Sequence, residues 1–212
     1  MKLICATRGR FEDTLLCKSV VKMRGTELTF AIAQNNTAGL SRVYNSEISA
    51  ETLVFAHDDV VIPNFWWADV VEEGLKRFDI VGVAGNRRVF PDQRSWYLEE
   101  QGLGPDYLEN LSGAVAGGTD WCDAQKLCFG PLGEVKTLDG VFIAANGKKL
   151  LEAGVTFDED FDFHFYDMSF CTRARAAGLT LGTIPLTLVH NSKGPFDQRW
   201  RDALEVYRRK YG

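Results

Sequence analysis

Residues 54–60 read Val54-Phe55-Ala56-His57-Asp58-Asp59-Val60, an apolar run that ends in a histidine and two adjacent carboxylates. A short apolar run bounded by polar residues is typical of a strand buried inside a parallel sheet. Ligands of open α/β sheets bind beyond the carboxyl ends of such strands. Carboxylates placed there suit a hard divalent cation, Mg²⁺ or Mn²⁺, that bridges a diphosphate. The same residues can also form a polar turn that caps the next helix, so this motif alone leaves both interpretations open.

The sequence on both sides of this strand alternates between strand and helix patterns. Short apolar runs predict four strands, at 2–7, 28–33, 52–56 and 79–84. Apolar residues at helical spacing predict three helices between them, over 11–23 (ending at Gly25), 38–48 and 64–78. This β-α-β-α-β-α-β order predicts an α/β fold with a mostly parallel sheet and helices on both faces.

The regular alternation stops after residue 85. Residues 86–137 are rich in Gly, Asp, Gln and aromatic side chains, which predicts an irregular segment. Within it, 126–129 and 134–137 flank a Gly-Pro-Leu-Gly turn and are expected to pair as a hairpin. Regular patterns then predict a strand at 140–145, helices at 147–153, 163–177 and 197–211, and an extended segment at 179–189.

Composition narrows the class of protein. The 212 residues are 45 % hydrophobic and 25 % charged, which excludes a disordered chain or a coiled coil. The net charge of −5 argues against nucleic-acid binding by phosphate neutralisation. Five cysteines without a C-x-x-C pair predict free thiols in a reducing cytosol. The N-terminal apolar run is too short for a signal peptide, so we expect a cytoplasmic location.

Two further motifs carry ionisable groups. The segment 157–167 is acidic with interleaved aromatics, but Phe163 and Ser169 stand where a calcium loop needs Gly and Glu. A carboxylate here can cap a helix or act as a general base beside a sugar ring. His190 follows the last apolar run and precedes a turn at Gly194. A lone histidine is more often structural, but His190 can complete a metal site with Asp59.

The C-terminal helix carries basic residues beside an apolar stripe, namely Arg199, Arg201, Arg208, Arg209 and Lys210. A basic amphipathic helix can lie on a membrane surface, which predicts a peripheral membrane contact. A terminal helix docked on the sheet with a solvated basic face is the interpretation that we favour.

The order of these motifs resembles a known family. The pieces are Thr7-Arg8, Asn35-Asn36, Gly39-Leu40-Ser41, His57-Asp58-Asp59, Asp139-Gly140, Phe157-Asp158-Glu159, Tyr166-Asp167, Arg173–Leu179 and His190. Together they are similar to the GT-A glycosyltransferases, and specifically to the large inverting family two. The resemblance runs from Met1 to about Gly194. It implies one domain over 1–212, with a nucleotide-binding half (1–85), an acceptor-side half (86–194) and a C-terminal helix (195–212).

The resemblance also implies roles for single residues on the donor side. Asp59 matches the carboxylate that holds Mn²⁺ or Mg²⁺ on the nucleotide diphosphate, and His190 is a further candidate ligand. His57 stands where the family has its first Asp, so the usual ribose contact falls to His57 or Asp58. Three residues match the region that cradles the nucleotide base and ribose, namely Thr7, Arg8 and Asn36.

On the acceptor side, the family's Glu-Asp pair becomes Tyr166-Asp167, and Asp167 is the implied acceptor base. Asp160 and Asp162 are competing candidates in the preceding loop. Flat aromatic faces for a sugar are available at Trp121, Phe163, Phe165 and Tyr166, although these side chains can equally pack in the core or a lid.

The implied reaction is an inverting single displacement that moves a sugar from a nucleotide sugar to a saccharide or lipid-linked acceptor, as in polysaccharide biosynthesis. UDP is the expected nucleotide, because it is the commonest one in proteins of this fold. A sugar-phosphate nucleotidyltransferase would need a Gly-rich basic loop, whereas residues 7–11 contain one glycine. A non-catalytic, degenerate transferase that only binds nucleotide or sugar remains the alternative, because His57 and Tyr166 depart from the family pattern.

Overall fold

A computed structural model describes residues 1–20, 27–90, 93–97, 109–192 and 196–212. It has the predicted α/β class, with two β-sheets. The strands are β1 (Lys2–Ala6), β2 (Thr29–Ala33), β3 (Thr52–Ala56), β4 (Val60–Val61), β5 (Ile80–Gly82), β6 (Ala84–Asn86), β7 (Leu111–Gly117), β8 (Gln125–Gly130), β9 (Glu134–Val135), β10 (Thr137–Leu138), β11 (Phe142–Asn146), β12 (Leu181–Thr183) and β13 (Val189–His190). The helices are α1 (Leu15–Val20), α2 (Leu40–Ser46), α3 (Trp67–Leu75), α4 (Gly147–Ala153), α5 (Tyr166–Ala176) and α6 (Gln198–Tyr211).

The larger sheet has seven strands in the order β2-β1-β3-β11-β5-β12-β9. β1, β2, β3, β5 and β12 share one direction. β11 lies antiparallel between β3 and β5, and β9 is antiparallel at the edge. The sheet is therefore mixed, although most of its strands are parallel as predicted. A fully buried apolar run such as Phe142–Ala145 has the same pattern in either direction, so the sequence does not encode the reversal of β11.

Helices cover both faces of this sheet, because side chains alternate along its strands. In β3, Val54 and Ala56 pack in an apolar layer with residues of α1 and α3. Leu53 and Phe55 face the opposite layer, which includes residues of α2, α4, α5 and α6. The predicted helix over 11–23 begins with a short 3₁₀ turn (Phe11–Asp13) before α1, and its predicted end at Gly25 lies outside the described residues.

The segment expected to be irregular contains most of a second sheet, ordered β10-β6-β7-β13-β4, with β8 paired to β7. The predicted hairpin between 126–129 and 134–137 is wrong. β8 pairs with β7, whereas β9 pairs with β12 of the larger sheet. The Gly-Pro-Leu-Gly stretch at 130–133 therefore leads the chain from one sheet to the other instead of turning it back.

Helix α6 docks on the larger sheet's helical layer through its apolar stripe, in which Leu204 and Tyr207 are buried. At its end Lys210 Nζ lies 2.8 Å from Asp158 Oδ2 and 2.6 Å from Asp160 Oδ2. Because the stripe is covered by the protein itself, the predicted peripheral membrane contact is not supported. No helix in the described part of the chain has the length and apolar character to cross a membrane.

Candidate active site

Three side chains converge where β3 and β13 end. His57 and Asp59 are two residues apart just after β3, and the backbone N–H of His57 donates to the Val141 carbonyl at 3.1 Å. Antiparallel pairing places His190 opposite Val60 of β4. The N–H of Asn191 then donates to the Asp59 carbonyl at 3.0 Å, which ties the two segments together. As a result, one ligand atom from each of His57, Asp59 and His190 lies within 4.8 Å of the others.

The pKa values of this group are coupled to one another. Asp59 Oδ1 lies 3.3 Å from His190 Nε2 and 3.9 Å from His57 Nδ1. Burial, and then the charge of His190, lower the pKa of His57 to about 4, so His57 is neutral near pH 7. Burial opposes ionisation of Asp59, yet the two histidines hold its pKa below the usual range. Burial likewise opposes protonation of His190, but Asp59 and Asp139 raise its pKa.

A divalent metal ion fits this arrangement. Asp59 Oδ1 is buried, and among the described residues it faces His190 Nε2 at 3.3 Å without a hydrogen bond of good geometry. Such a buried acceptor is costly unless a ligand satisfies it. Two imidazole nitrogens beside one carboxylate oxygen suit a divalent transition metal better than Mg²⁺, which prefers oxygen ligands.

The start of α5 forms the opposite wall. Phe165 has φ 62°, a left-handed backbone conformation that is unusual for an aromatic residue. This turn delays the helix to Tyr166, three residues after its predicted start, where Tyr166 meets His57 and Asp167 meets Gly140. The Tyr166 hydroxyl lies 2.8 Å from His57 Nε2 and donates to the Gly140 carbonyl at 2.6 Å.

Asp167 has the environment of a proton acceptor. Its Oδ2 accepts the Gly140 N–H at 3.0 Å, and its Oδ1 accepts the Met168 N–H at 2.8 Å. Burial, followed by the nearby Asp139 charge, raises the pKa of Asp167 to about 7. Burial also raises the pKa of Asp139. A carboxylate whose pKa is close to neutral can both take up and release a proton at physiological pH.

All of these groups line one open cleft of about 220 Å³. Aromatic side chains form part of its wall, namely Trp96, Tyr97, Phe163, Phe165, Phe196 and Trp200. Among the described residues that line the cleft, Trp121 is absent. Lys126 Nζ lies over its ring instead, 4.5 Å from the ring centroid. This lining does not include Asp160 or Asp162 either. Asp160 pairs with Lys210, and Asp162 packs against Gly39.

Comparison with known proteins identifies the family. A model described as "Glycosyltransferase like family" matches residues 24–193, well over half of the chain. The chain belongs to this glycosyltransferase family. No curated protein sequence matches it. The solved structure titled GalNAc-T7 with UDP, GalNAc and Mn²⁺ aligns with a TM-score of 0.55 and 11 % identity, over 89 % of this chain and 43 % of that one. The structure of A197 from STIV aligns with a TM-score of 0.46 and 19 % identity, over 89 % and 84 % of the two chains.

The fold of this glycosyltransferase is therefore GT-A. Of its predicted nucleotide-side residues, His57 lines the cleft. Among the described residues, Thr7, Arg8 and Asn36 follow β1 and β2, and Asp58 follows β3, all outside the cleft lining. The N–H of Asn36 donates to the Thr7 carbonyl at 2.8 Å, and Arg8 is exposed beside them. Burial raises the pKa of the Cys5 thiol in β1, and the negative charge of the nearby Asp58 raises it further. Asp58 therefore lies close to β1. Their nucleotide contacts stay predictions. The turn expected at Gly194 lies outside the described residues.

In this glycosyltransferase the structure assigns His57 a place that sequence reasoning missed. The resemblance implied a ribose contact, which stays a prediction, and the structure in addition places the Nδ1 of His57 3.9 Å from Asp59 Oδ1 within the candidate metal-ligand group. The sequence placed His57 and Asp59 in the same short turn between β3 and β4, and that closeness was the signal available. Asp139 and Gly140 were also given no role, although both line the cleft and Gly140 bonds both Tyr166 and Asp167.

Proposed function

We propose that this glycosyltransferase transfers a sugar from a UDP-linked donor to an acceptor hydroxyl, with inversion at the anomeric carbon and with the help of a divalent metal, Mn²⁺ in preference to Mg²⁺. One observation carries the proposal. A candidate metal-ligand group and a carboxylate with a pKa of about 7 line the same cleft from different elements. The reaction needs a cation beside the departing diphosphate and a base beside the acceptor hydroxyl, on opposite sides of one anomeric carbon.

The metal would be held by His57, Asp59 and His190. When bound, such an ion offsets the negative charge that builds up on the departing diphosphate. Neutral His57 and ionised Asp59 are already in the protonation states that ligation requires, whereas the raised pKa of His190 makes protonation compete with ligation there. Thr7, Arg8, Asn36 and Asp58 are proposed to contact the base and ribose, next to this group along the sheet edge.

Asp167 is the proposed general base. It takes the proton of the acceptor hydroxyl while that oxygen forms a bond to the anomeric carbon. The bond from that carbon to the diphosphate breaks at the same time, and its electron pair leaves with the nucleoside diphosphate. Because attack comes from the side opposite the leaving group, the configuration inverts. The backbone N–H groups of Gly140 and Met168 hold the carboxylate in place throughout.

The donor and acceptor classes rest on different observations. A structure of the same fold was solved with UDP, GalNAc and Mn²⁺, which supports UDP as the nucleotide. The partly exposed ring of Phe163 and the ring of Trp200 lie in the cleft that holds Asp167. Flat apolar rings suit the C–H faces of sugars, so we propose a saccharide acceptor, free or lipid-linked, as in polysaccharide assembly.

The direct test is turnover. The protein is incubated with a panel of UDP-, GDP- and dTDP-sugars and Mn²⁺, and release of free nucleoside diphosphate is measured with and without EDTA. We expect release from a UDP-sugar that stops when EDTA removes the metal. Tight binding of a nucleotide sugar without any release, across acceptors and metals, would instead identify a non-catalytic binding protein.

A further inference from the structure

A hydrogen-bonded chain connects the candidate metal ligands to the turn before β11. His57 Nε2 lies 2.8 Å from the Tyr166 hydroxyl, which lies 2.6 Å from the Gly140 carbonyl oxygen. The other ring nitrogen of His57, Nδ1, faces Asp59 Oδ1 at 3.9 Å. The two nitrogens of one imidazole therefore face two different environments.

The direction of each hydrogen bond in this chain follows from its chemistry. A carbonyl oxygen can only accept, so the single hydroxyl proton of Tyr166 points to Gly140. The Tyr166 oxygen is then left to accept from His57, which places a proton on Nε2. A neutral imidazole with its proton on Nε2 carries a lone pair on Nδ1. That lone pair faces Asp59 and His190, where a metal ligand needs it.

We propose that Tyr166 is a positioning residue, whose hydroxyl holds His57 in its Nε2–H tautomer and so presents the Nδ1 lone pair to a divalent metal ion. The inference rests on the proposed metal-dependent function. It gives a role to the tyrosine that replaces an acidic residue of the family pattern. Hydrogen bonds to the far nitrogen of a metal-binding histidine commonly fix its tautomer and its orientation.

The fold is shaped for this contact. Tyr166 is 3 % exposed, and its ring lies among the aromatic side chains of the core. A Cβ added at Gly140 would clash with the Tyr166 hydroxyl oxygen, so only glycine permits the approach. The left-handed turn at Phe165 directs Tyr166 toward His57. The His57 ring also stacks on Phe163, with centroids 6.0 Å apart, which is the competing explanation for its orientation.

The experiment compares Tyr166→Phe with a matched control, Tyr44→Phe. The Tyr44 ring lies 5.9 Å from that of Tyr166, and its buried hydroxyl has no hydrogen-bond partner among the described residues. Nitrogen-15 spectra of the metal-free proteins report the tautomer of each histidine. The chain has only three histidines, so substituting each in turn assigns the signals. Mn²⁺ affinity is measured by electron paramagnetic resonance on the same samples.

We expect the parent and Tyr44→Phe to show His57 protonated on Nε2, and Tyr166→Phe to show a mixture of tautomers. The Mn²⁺ dissociation constant of Tyr166→Phe should rise by about 10- to 100-fold, the usual effect of losing such a partner. A parent protein with His57 protonated on Nδ1 would overturn the assignment, and this measurement stands even if Tyr166→Phe does not fold.

Unchanged tautomer and Mn²⁺ affinity in a folded Tyr166→Phe would also overturn it, and would assign the orientation of His57 to Phe163. If the parent protein does not bind Mn²⁺, the result contradicts the proposed metal-dependent function and not the role of Tyr166 in setting the tautomer. The tautomer in the metal-free parent and in Tyr166→Phe then still decides the role of Tyr166.

Discussion

At the scale of single residues, Asp167 is the group on which transfer depends most. Asp167→Asn keeps the size of the side chain and removes its ability to accept a proton. We expect transfer to slow by roughly a hundredfold or more, while Mn²⁺ and donor binding stay at the parental level. Because only the ionised carboxylate is a base, the parental rate should rise with pH through about 7 and then level off.

Steady-state transfer rates and donor titrations across pH check this prediction. Asp160→Asn and Asp162→Asn serve as controls, because both carboxylates lie in the preceding loop and outside the cleft lining. Near-parental transfer by Asp167→Asn together with an inactive loop variant would move the base into the loop.

His190 makes metal binding depend on pH. Its pKa is raised above the ordinary histidine value by Asp59 and Asp139, although burial acts in the opposite direction. A protonated imidazole cannot ligate a metal, so Mn²⁺ affinity should increase with pH up to that raised pKa and then reach a plateau. His190→Ala should weaken metal binding, remove this pH step and leave the fold intact. Calorimetric titration between about pH 6 and about pH 8 checks this, and an affinity that does not change with pH in the parent would exclude His190 as a ligand.

At the scale of secondary-structure elements, the hydrogen bonds that anchor the end of α6 make a testable contribution to the stability of the fold. Asp158 is 6 % exposed and accepts hydrogen bonds from Lys210 Nζ and from the Tyr211 hydroxyl, the latter at 2.7 Å. Burial opposes ionisation, but these partners hold the pKa of Asp158 below its usual range. The stabilisation is therefore present above the unfolded-state pKa of the carboxyl and is lost as pH falls through the lower folded-state pKa.

Asp158→Asn should lower the free energy of unfolding by about 1–3 kcal/mol near pH 7, with a smaller difference in acid. Urea unfolding followed by circular dichroism measures this. Glu205→Gln, an exposed substitution on the same helix, is the control and should change stability by less than about 0.5 kcal/mol. Equal stability of Asp158→Asn and the parent at neutral pH would show that the network does not anchor α6.

The sequence predicted some elements well because their patterns are local. β3 and α4 occur at their predicted residues, since a fully apolar strand and a helix capped by Asn146 are decided by neighbouring side chains. The late start of α5 depends on the strained backbone of Phe165, which tertiary contacts impose. The direction of β11 and the partners of β8 and β9 depend on pairing between distant segments, which local patterns do not carry.

At the scale of the whole molecule, the site exists because two sheets meet at it. β3 of the larger sheet delivers His57 and Asp59, and the pairing of β13 with β4 in the second sheet delivers His190. The sequence pointed to Asp59, His190 and Asp167 from residue type and motif order. It did not show His57 among the candidate ligands, because the resemblance gave that position to the ribose and the side on which each His57 nitrogen lies depends on the tertiary contact with Tyr166.

The central claim is that His57, Asp59 and His190 bind a divalent metal that couples to the nucleotide diphosphate. The most direct measurement is calorimetric titration of UDP into the parent and into Asp59→Ala, each with and without Mn²⁺. We predict that Mn²⁺ tightens UDP binding by the parent, because the two ligands share the ion, and that Asp59→Ala abolishes this gain. If Asp59→Ala binds UDP with the same Mn²⁺ dependence as the parent, the metal does not bind at this site and the account is contradicted.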